Sequence, residues 1–307
     1  MLHLILGGGL GNQMFQYAYA RTLQLEYNVQ VKFNTFLYRN KVNKDREFAL
    51  ENLNISKDIL MGDKLSDYKN YEIFSQKIKW FRWANKININ KSNLLYKFMN
   101  YRGLYSPLAG QYKYFSSVYN SENDGYIHGG FQSWKYFEKY KDVIKKELEV
   151  CTPPSIKNKK MLNEIILNNS VCVHIRRGDY LDKQFSHLEI CGYKYYYDAM
   201  SIVKKQLNNP VFYIFSNSHD DLLWIKDNYE FSGFNVRYVD LSNEDYEELR
   251  LMYNCKHFII SNSTFSWWAQ YLSKYSNKVV FAPSIWNRDQ SIDCSDIYME
   301  NWNLINV

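Results

Sequence analysis

An apolar run that stops abruptly in paired charges constrains this chain more than any other feature. Ser170-Val171-Cys172-Val173-His174-Ile175 leaves no room for a polar face, so it reads as a strand buried on both sides, as in a parallel sheet. Arg176, Arg177, Gly178, Asp179 and Tyr180 follow at once. In an open α/β sheet, ligands sit beyond the carboxyl ends of the strands, which is where this spacing delivers His174, Arg176 and Arg177. A guanidinium is a planar fork of donors that keeps its charge near neutral pH, and two in succession suit a polyanion such as a diphosphate. Gly178 permits close backbone approach, while Asp179 either orients an arginine or takes a proton as a base. A surface Arg–Asp pair at a strand end would account for the same residues, and the stretch alone leaves both readings open.

The rest of the chain alternates strand and helix. Leu2 to Leu6 reads as a buried strand, followed by Gly7-Gly8-Gly9-Leu10-Gly11-Asn12-Gln13 and a helical run to Tyr27, then a strand over Val29 to Phe33. A glycine-rich turn entering a helix resembles a phosphate-binding unit, yet it has neither the P-loop Lys-Ser/Thr nor the dinucleotide spacing, so a plain tight turn explains it equally. The amides of Asn12 and Gln13 add the capacity to hold a sugar. Residues 40–125 are less regular; Phe74, Ile78 and Phe81 share a helical face amid Lys77, Lys79, Arg82 and Lys86, a pattern compatible with either a solvated surface helix or peripheral contact with anionic lipid. Tyr126 to Gly130 returns to strand character and leads into Phe131 and Gln132, which could face a cleft. Pro153-Pro154 breaks the following helix and places a domain boundary there, giving 1–152 and 153–307.

Beyond that boundary, strands over Val211 to Phe215, Asn235 to Val239, His257 to Ile260 and Lys278 to Ala282 alternate with helices, as in a Rossmann-like domain. Their ends present Ser216 and Asn217, Asp240, and the cluster Ser261-Asn262-Ser263-Thr264. Ser263 or Thr264 can cap the next helix, whose free N–H groups suit a phosphate. A net charge of +6 favours anionic ligands without requiring nucleic acid. A basic, aromatic-rich nucleic-acid-binding protein would explain the charge and the stacking residues but not why the charges gather at strand ends. Five cysteines, odd in number and without C-x-x-C spacing, suit reduced thiols in the cytoplasm. The apolar start is too short for a signal peptide, and no window approaches a membrane span.

Three stretches carry a resemblance: Gly7 to Ala18, His174-Ile175-Arg176-Arg177-Gly178-Asp179-Tyr180, and Ile260-Ser261-Asn262-Ser263-Thr264-Phe265-Ser266-Trp267-Trp268-Ala269. With Gly130-Phe131-Gln132 and Tyr136-Phe137, they resemble the α-1,2-fucosyltransferases of glycosyltransferase family 11. The resemblance implies a GT-B architecture of two facing Rossmann-like domains with a cleft: an acceptor-side domain over 1–152 and a GDP-fucose domain over 153–307. It implies inversion without a metal or other cofactor, transfer to a galactose-terminated glycan, and a cytoplasmic enzyme, peripheral at most to the inner membrane face. No Asp-x-Asp pair offers a metal for the diphosphate, so Arg176 and Arg177 would offset the leaving charge. On this resemblance the donor is held by His174, Arg176, Arg177, Asp240, Ser261, Asn262, Ser263, Thr264 and Phe265, with Gly9, Gly11, Asn12 and Gln13. Phe131 and Gln132 belong to the acceptor side, Arg176 and Asp179 to catalysis. Alternation along an extended segment predicts Arg176 on the His174 face and Arg177 on the other, bracing the loop through Asp179.

Overall fold

The computed structural model describes residues 1–40, 46–86, 93–107, 112–116, 124–181 and 183–307; for residues 80–86, 93–96, 179, 181, 184 and 185 it describes the backbone alone. The chain is α/β and forms two compact units, residues 1–148 with 295–297, and residues 149–294 with 298–307. Each has its own parallel sheet. In the first unit β1 (Leu2–Ile5), β2 (Val31–Asn34), β3 (Leu60–Met61), β4 (Leu104–Tyr105) and β5 (Gly125–Ile127) are ordered β3-β2-β1-β5-β4. In the second, β6 (Asn169–His174), β7 (Pro210–Phe215), β8 (Val236–Tyr238), β9 (His257–Ile259), β10 (Val280–Pro283) and β11 (Asn303–Ile305) are ordered β8-β7-β6-β9-β10-β11. That is the doubly wound order, which reverses between β6 and β9, and ligands of such sheets bind at that reversal.

The central strand is as apolar in the fold as in the sequence. From Ser170 to Ile175 every residue is buried, and Val171, Val173 and Ile175 pack with Tyr195, Tyr196, Met200 and Ile225 from the helices Tyr193–Gln206 and His219–Asn228. β7 pairs along its whole length, from Asn169 opposite Pro210 to His174 opposite Phe215. β9 pairs through Val171, Cys172 and Val173 with His257, Phe258 and Ile259. The register brings the ends of three strands level.

The seam between units falls between Leu148 and Glu149, four residues before the proline pair. Residues 149–152 are held by the second unit: Glu149 Oε1 lies 2.8 Å from Lys274 Nζ, and an Arg250 Nη2 group donates to the Thr152 carbonyl and, at 3.1 Å, to its hydroxyl. Prolines stop a helix; long-range pairs decide which unit owns the segment. Residues 295–297 return to the first unit because Asp296 accepts from Lys135 Nζ at 2.6 Å and from the Tyr114 amide at 2.9 Å.

On the basic helix Lys64–Lys86, two of the three apolar residues read as one face are turned into the protein. Phe74 and Ile78 are buried with Ile5, Met99, Leu104 and Tyr126 in the first unit's core, and Lys77 donates to the Arg102 carbonyl at 2.8 Å. The Phe81, Arg82 and Lys86 side chains lie outside the described residues. Among the described residues no helix is long and apolar enough to cross a membrane.

Candidate active site

The arginine turn is fastened to the neighbouring strand end before any ligand is considered. The Ile175 amide donates to the Phe215 carbonyl at 2.9 Å, the Ser216 hydroxyl donates to the Ile175 carbonyl at 2.7 Å, and the Arg177 amide donates to Asn217 Oδ1 at 3.1 Å. Gly178 has φ of +37°, and a β-carbon there would lie 2.8 Å from Asn217 Nδ2, so the tight turn requires glycine. These bonds leave the turn little freedom.

Its two arginines have separate surroundings. The Arg177 guanidinium lies 3.2 Å from the Trp224 ring centroid, and its Nε is 3.5 Å from Asp221 Oδ1. Asp221 is itself placed by the Ser218 N-cap, its amide donating to Ser218 Oγ at 3.1 Å and its carboxylate accepting from Ser218 Oγ at 3.0 Å. Arg177 therefore braces helix His219–Asn228 through Asp221, a partner that alternation did not suggest. The Asp179 side chain lies outside the described residues. The Arg176 guanidinium instead lies 5.4 Å from the Tyr180 ring centroid.

Across the reversal of strand order stands the serine cluster. His174 Nδ1 is 2.9 Å from Ser261 Oγ, and both residues are buried. Burial, reinforced by the Arg176 charge, lowers the His174 pKa from 6.5 to about 3. The imidazole is neutral at physiological pH, so Arg176 is not opposed by a second cation from His174. Ser263 Oγ accepts from the Phe265 amide at 3.3 Å and so caps helix Thr264–Leu272, whose first N–H groups stand at the end of β9. The Phe265 ring approaches His174, with centroids 6.0 Å apart. His174, Arg176, Ser261, Ser263, Thr264 and Phe265 thus lie at or just beyond the carboxyl ends of the two central strands, where open α/β sheets place their ligands.

Asn262, expected against the donor, is spent inside the protein. Its amide donates to the carbonyls of Leu188 at 2.8 Å and Trp286 at 3.1 Å, its Oδ1 accepts from the Cys191 thiol at 3.7 Å, and its backbone carbonyl accepts from Tyr180 Oη at 3.0 Å. It secures the serine loop and does not line it. Asp240 lies beyond β8, 2.6 Å from His219 Nδ1. Sequence reading missed Glu248, in helix Asp245–Tyr253: burial, with Asp245 and Asp240 nearby, pushes its carboxyl from 4.5 up to about 8. Three acids in a first helical turn look like ordinary dipole-matching residues, so nothing local signals this one.

In the first unit the glycine turn is likewise tied down. Helix Leu10–Tyr27 begins four residues before Met14, where the helical run was placed, so Gly11, Asn12 and Gln13 form its first turn, with Gly9 as N-cap. Gly8 has φ of +81°, and a β-carbon there would clash with Asn12 Nδ2 at 2.4 Å. Gln13 is buried; it donates to the Gly8 and Glu47 carbonyls at 3.1 and 2.7 Å and accepts from the Ala49 amide at 3.0 Å, which makes it a loop anchor. Asn12 Oδ1 accepts from Gln132 Nε2 at 3.0 Å, so these two predicted residues do meet. Phe131 is core, fully buried and stacked on Tyr19 with centroids 4.0 Å apart; its backbone takes φ of +49°, a left-handed conformation that bends the chain into Gln132. Arg46, not foreseen, places Nη1 3.5 Å from where a Gly9 β-carbon would be.

Among the described residues no group of three His, Cys, Asp or Glu side chains is gathered as a metal site. Arg176 and the capped helix N-terminus follow the carboxyl ends of β6 and β9, the adjacent strands at which the order of the parallel sheet reverses. The chain belongs to glycosyltransferase family 11, whose profile, "Glycosyl transferase family 11", matches residues 1–306. It is 32% identical to an alpha-1,2-colitosyltransferase of Escherichia coli over 97% of this chain and 96% of that one. It is 26% identical to the E. coli O-antigen biosynthesis glycosyltransferase WbnK over 98% and 99%. A galactoside 2-alpha-L-fucosyltransferase of Caenorhabditis elegans is 31% identical over 59% of this chain and 52% of its own.

Proposed function

We propose that this glycosyltransferase moves L-fucose from GDP-β-L-fucose to the 2-hydroxyl of a terminal galactose in a cell-surface glycan or its precursor, with inversion and without a metal. The observation that carries the reading is that Arg176, the His174–Ser261 pair and the capped helix all lie at or just beyond the carboxyl ends of β6 and β9, where the strand order reverses. As the bond from the sugar anomeric carbon to the diphosphate oxygen lengthens, its electron pair moves onto the leaving phosphate. The Arg176 guanidinium and the helix N–H groups oppose that charge where it develops. The acceptor oxygen bonds to the opposite face of the anomeric carbon and gives up its proton, for which Asp179 is the assigned base. Neutral His174 orients Ser261, and the Asn12–Gln132 pair is assigned to hydroxyl recognition.

The fucosyl donor and the α-1,2 linkage draw support from the galactoside 2-alpha-L-fucosyltransferase relative. A second reading takes a colitosyl donor, favoured because the colitosyltransferase relative matches nearly the whole chain. The two sugars differ by one hydroxyl, so donor choice separates them. GDP and GDP-fucose should raise the melting temperature, since a ligand that binds only the native state stabilises it by mass action, and UDP-sugars should do less. GDP release from GDP-fucose across a panel of galactosides then tests transfer. Stabilisation by UDP-galactose but not by GDP would sink the assignment, and turnover with the colitosyl donor alone would establish the second reading.

A further inference from the structure

Tyr180 touches both the arginine turn and the serine loop. Its hydroxyl donates to the Asn262 carbonyl at 3.0 Å, and its ring lies under the Arg176 guanidinium at 5.4 Å. Its amide donates to the Arg177 carbonyl at 2.7 Å, so the ring is held at both ends. The carbonyl it reaches belongs to the most heavily anchored residue of the serine loop, since the Asn262 side chain is fixed to residues 188, 191 and 286. A flexible arginine loses side-chain entropy whenever it meets a phosphate; a ring fixed beneath it removes part of that cost in advance.

We propose that Tyr180 is a positioning residue that locks Arg176 to the Ser261–Thr264 loop, so that the guanidinium and the helix N-terminus act on one leaving diphosphate. The inference rests on the functional reading above for the identity of the ligand, but its geometry stands without it. Tyr180 acts through Arg176 and needs no contact with the sugar.

The test compares Tyr180→Leu, Tyr180→Phe, Arg176→Ala and the double variant Tyr180→Leu/Arg176→Ala. Two readouts are taken: steady-state GDP-fucose turnover, and affinity for inorganic pyrophosphate, which carries the charge of the departing group whatever sugar or base is used. Tyr180→Leu should lower kcat about tenfold, leave the donor KM within about twofold, and weaken pyrophosphate about tenfold, the scale of a partly desolvated cation–π contact. Tyr180→Phe, which keeps the ring and loses the tether, should fall between Tyr180→Leu and wild type, and it serves as the informative variant if the leucine form does not fold. In the Arg176→Ala background the leucine substitution should cost nothing further. Equal losses from Tyr180→Leu with and without Arg176, or a lowered melting temperature with unchanged kcat and pyrophosphate affinity, would overturn the proposal. If the wild type turned over no GDP-fucose while the pyrophosphate pattern held, the donor assignment would fail and the positioning role would stand.

Discussion

Replacing Arg177 with alanine should cost stability, whereas replacing Arg176 should cost turnover. The Arg177 side chain is 17% exposed and its partner Asp221 12%, so neither charge is fully screened by water. A guanidinium 3.2 Å from the Trp224 centroid in such a site contributes about 1–2 kcal/mol. The ion pair at 3.5 Å lacks hydrogen-bond geometry, and losing it leaves Asp221 with its Ser218 cap, a further cost of about 1 kcal/mol. The turn itself keeps its Ser216 and Asn217 bonds. A loss of roughly 2–3 kcal/mol in a unit of this size lowers the melting temperature by about 4–12 °C. Arg177→Lys should restore less than half, because an ammonium keeps the charge but not the planar stack. Arg176→Ala removes a contact that strengthens as the phosphate leaves, costing about 3 kcal/mol or roughly a hundredfold in kcat, with little change in melting temperature. Thermal melts and kinetics on both variants, at a temperature where both are folded, separate the two roles. A hundredfold turnover defect in Arg177→Ala at unchanged melting temperature, or normal turnover in Arg176→Ala, would refute the division.

Turnover with GDP-fucose should survive EDTA; loss on chelation that manganese or magnesium restores would contradict the metal-independent reading. His174, lowered to about 3 from 6.5, binds fewer protons folded than unfolded between those values, so stability should drop as pH falls through that window, and denaturant midpoints should show a shallower slope in His174→Gln. Glu248, raised to about 8 from 4.5, works in the other direction: it should make the protein less stable as pH rises from 4.5 to 8, and Glu248→Gln should flatten that limb. A Glu248→Gln curve parallel to wild type would show the carboxyl ionises normally.

The strand over Asn169–His174 was legible because burial on both faces demands unbroken apolar sequence, and a charge after it can only mark the strand's end. The serine-capped helix followed from local capping chemistry. Such signals are short-range and survive without a fold. What the tertiary structure decided is which groups each side chain spends itself on. Arg177 meets Asp221, 44 positions away, a pairing that no local spacing announces. The buried amides of Asn262 and Gln13 went to loop carbonyls, because a buried donor must be satisfied once water is excluded, and Phe131 went to the core. The two-residue strands Leu60–Met61 and Leu104–Tyr105 are too short to carry a period, and exist because an adjacent strand offers unpaired backbone. Burial pushes the Glu248 carboxyl up to about 8, with Asp245 on its own helix and Asp240 from outside it adding to the shift, and of these the burial and the Asp240 approach come only with the fold.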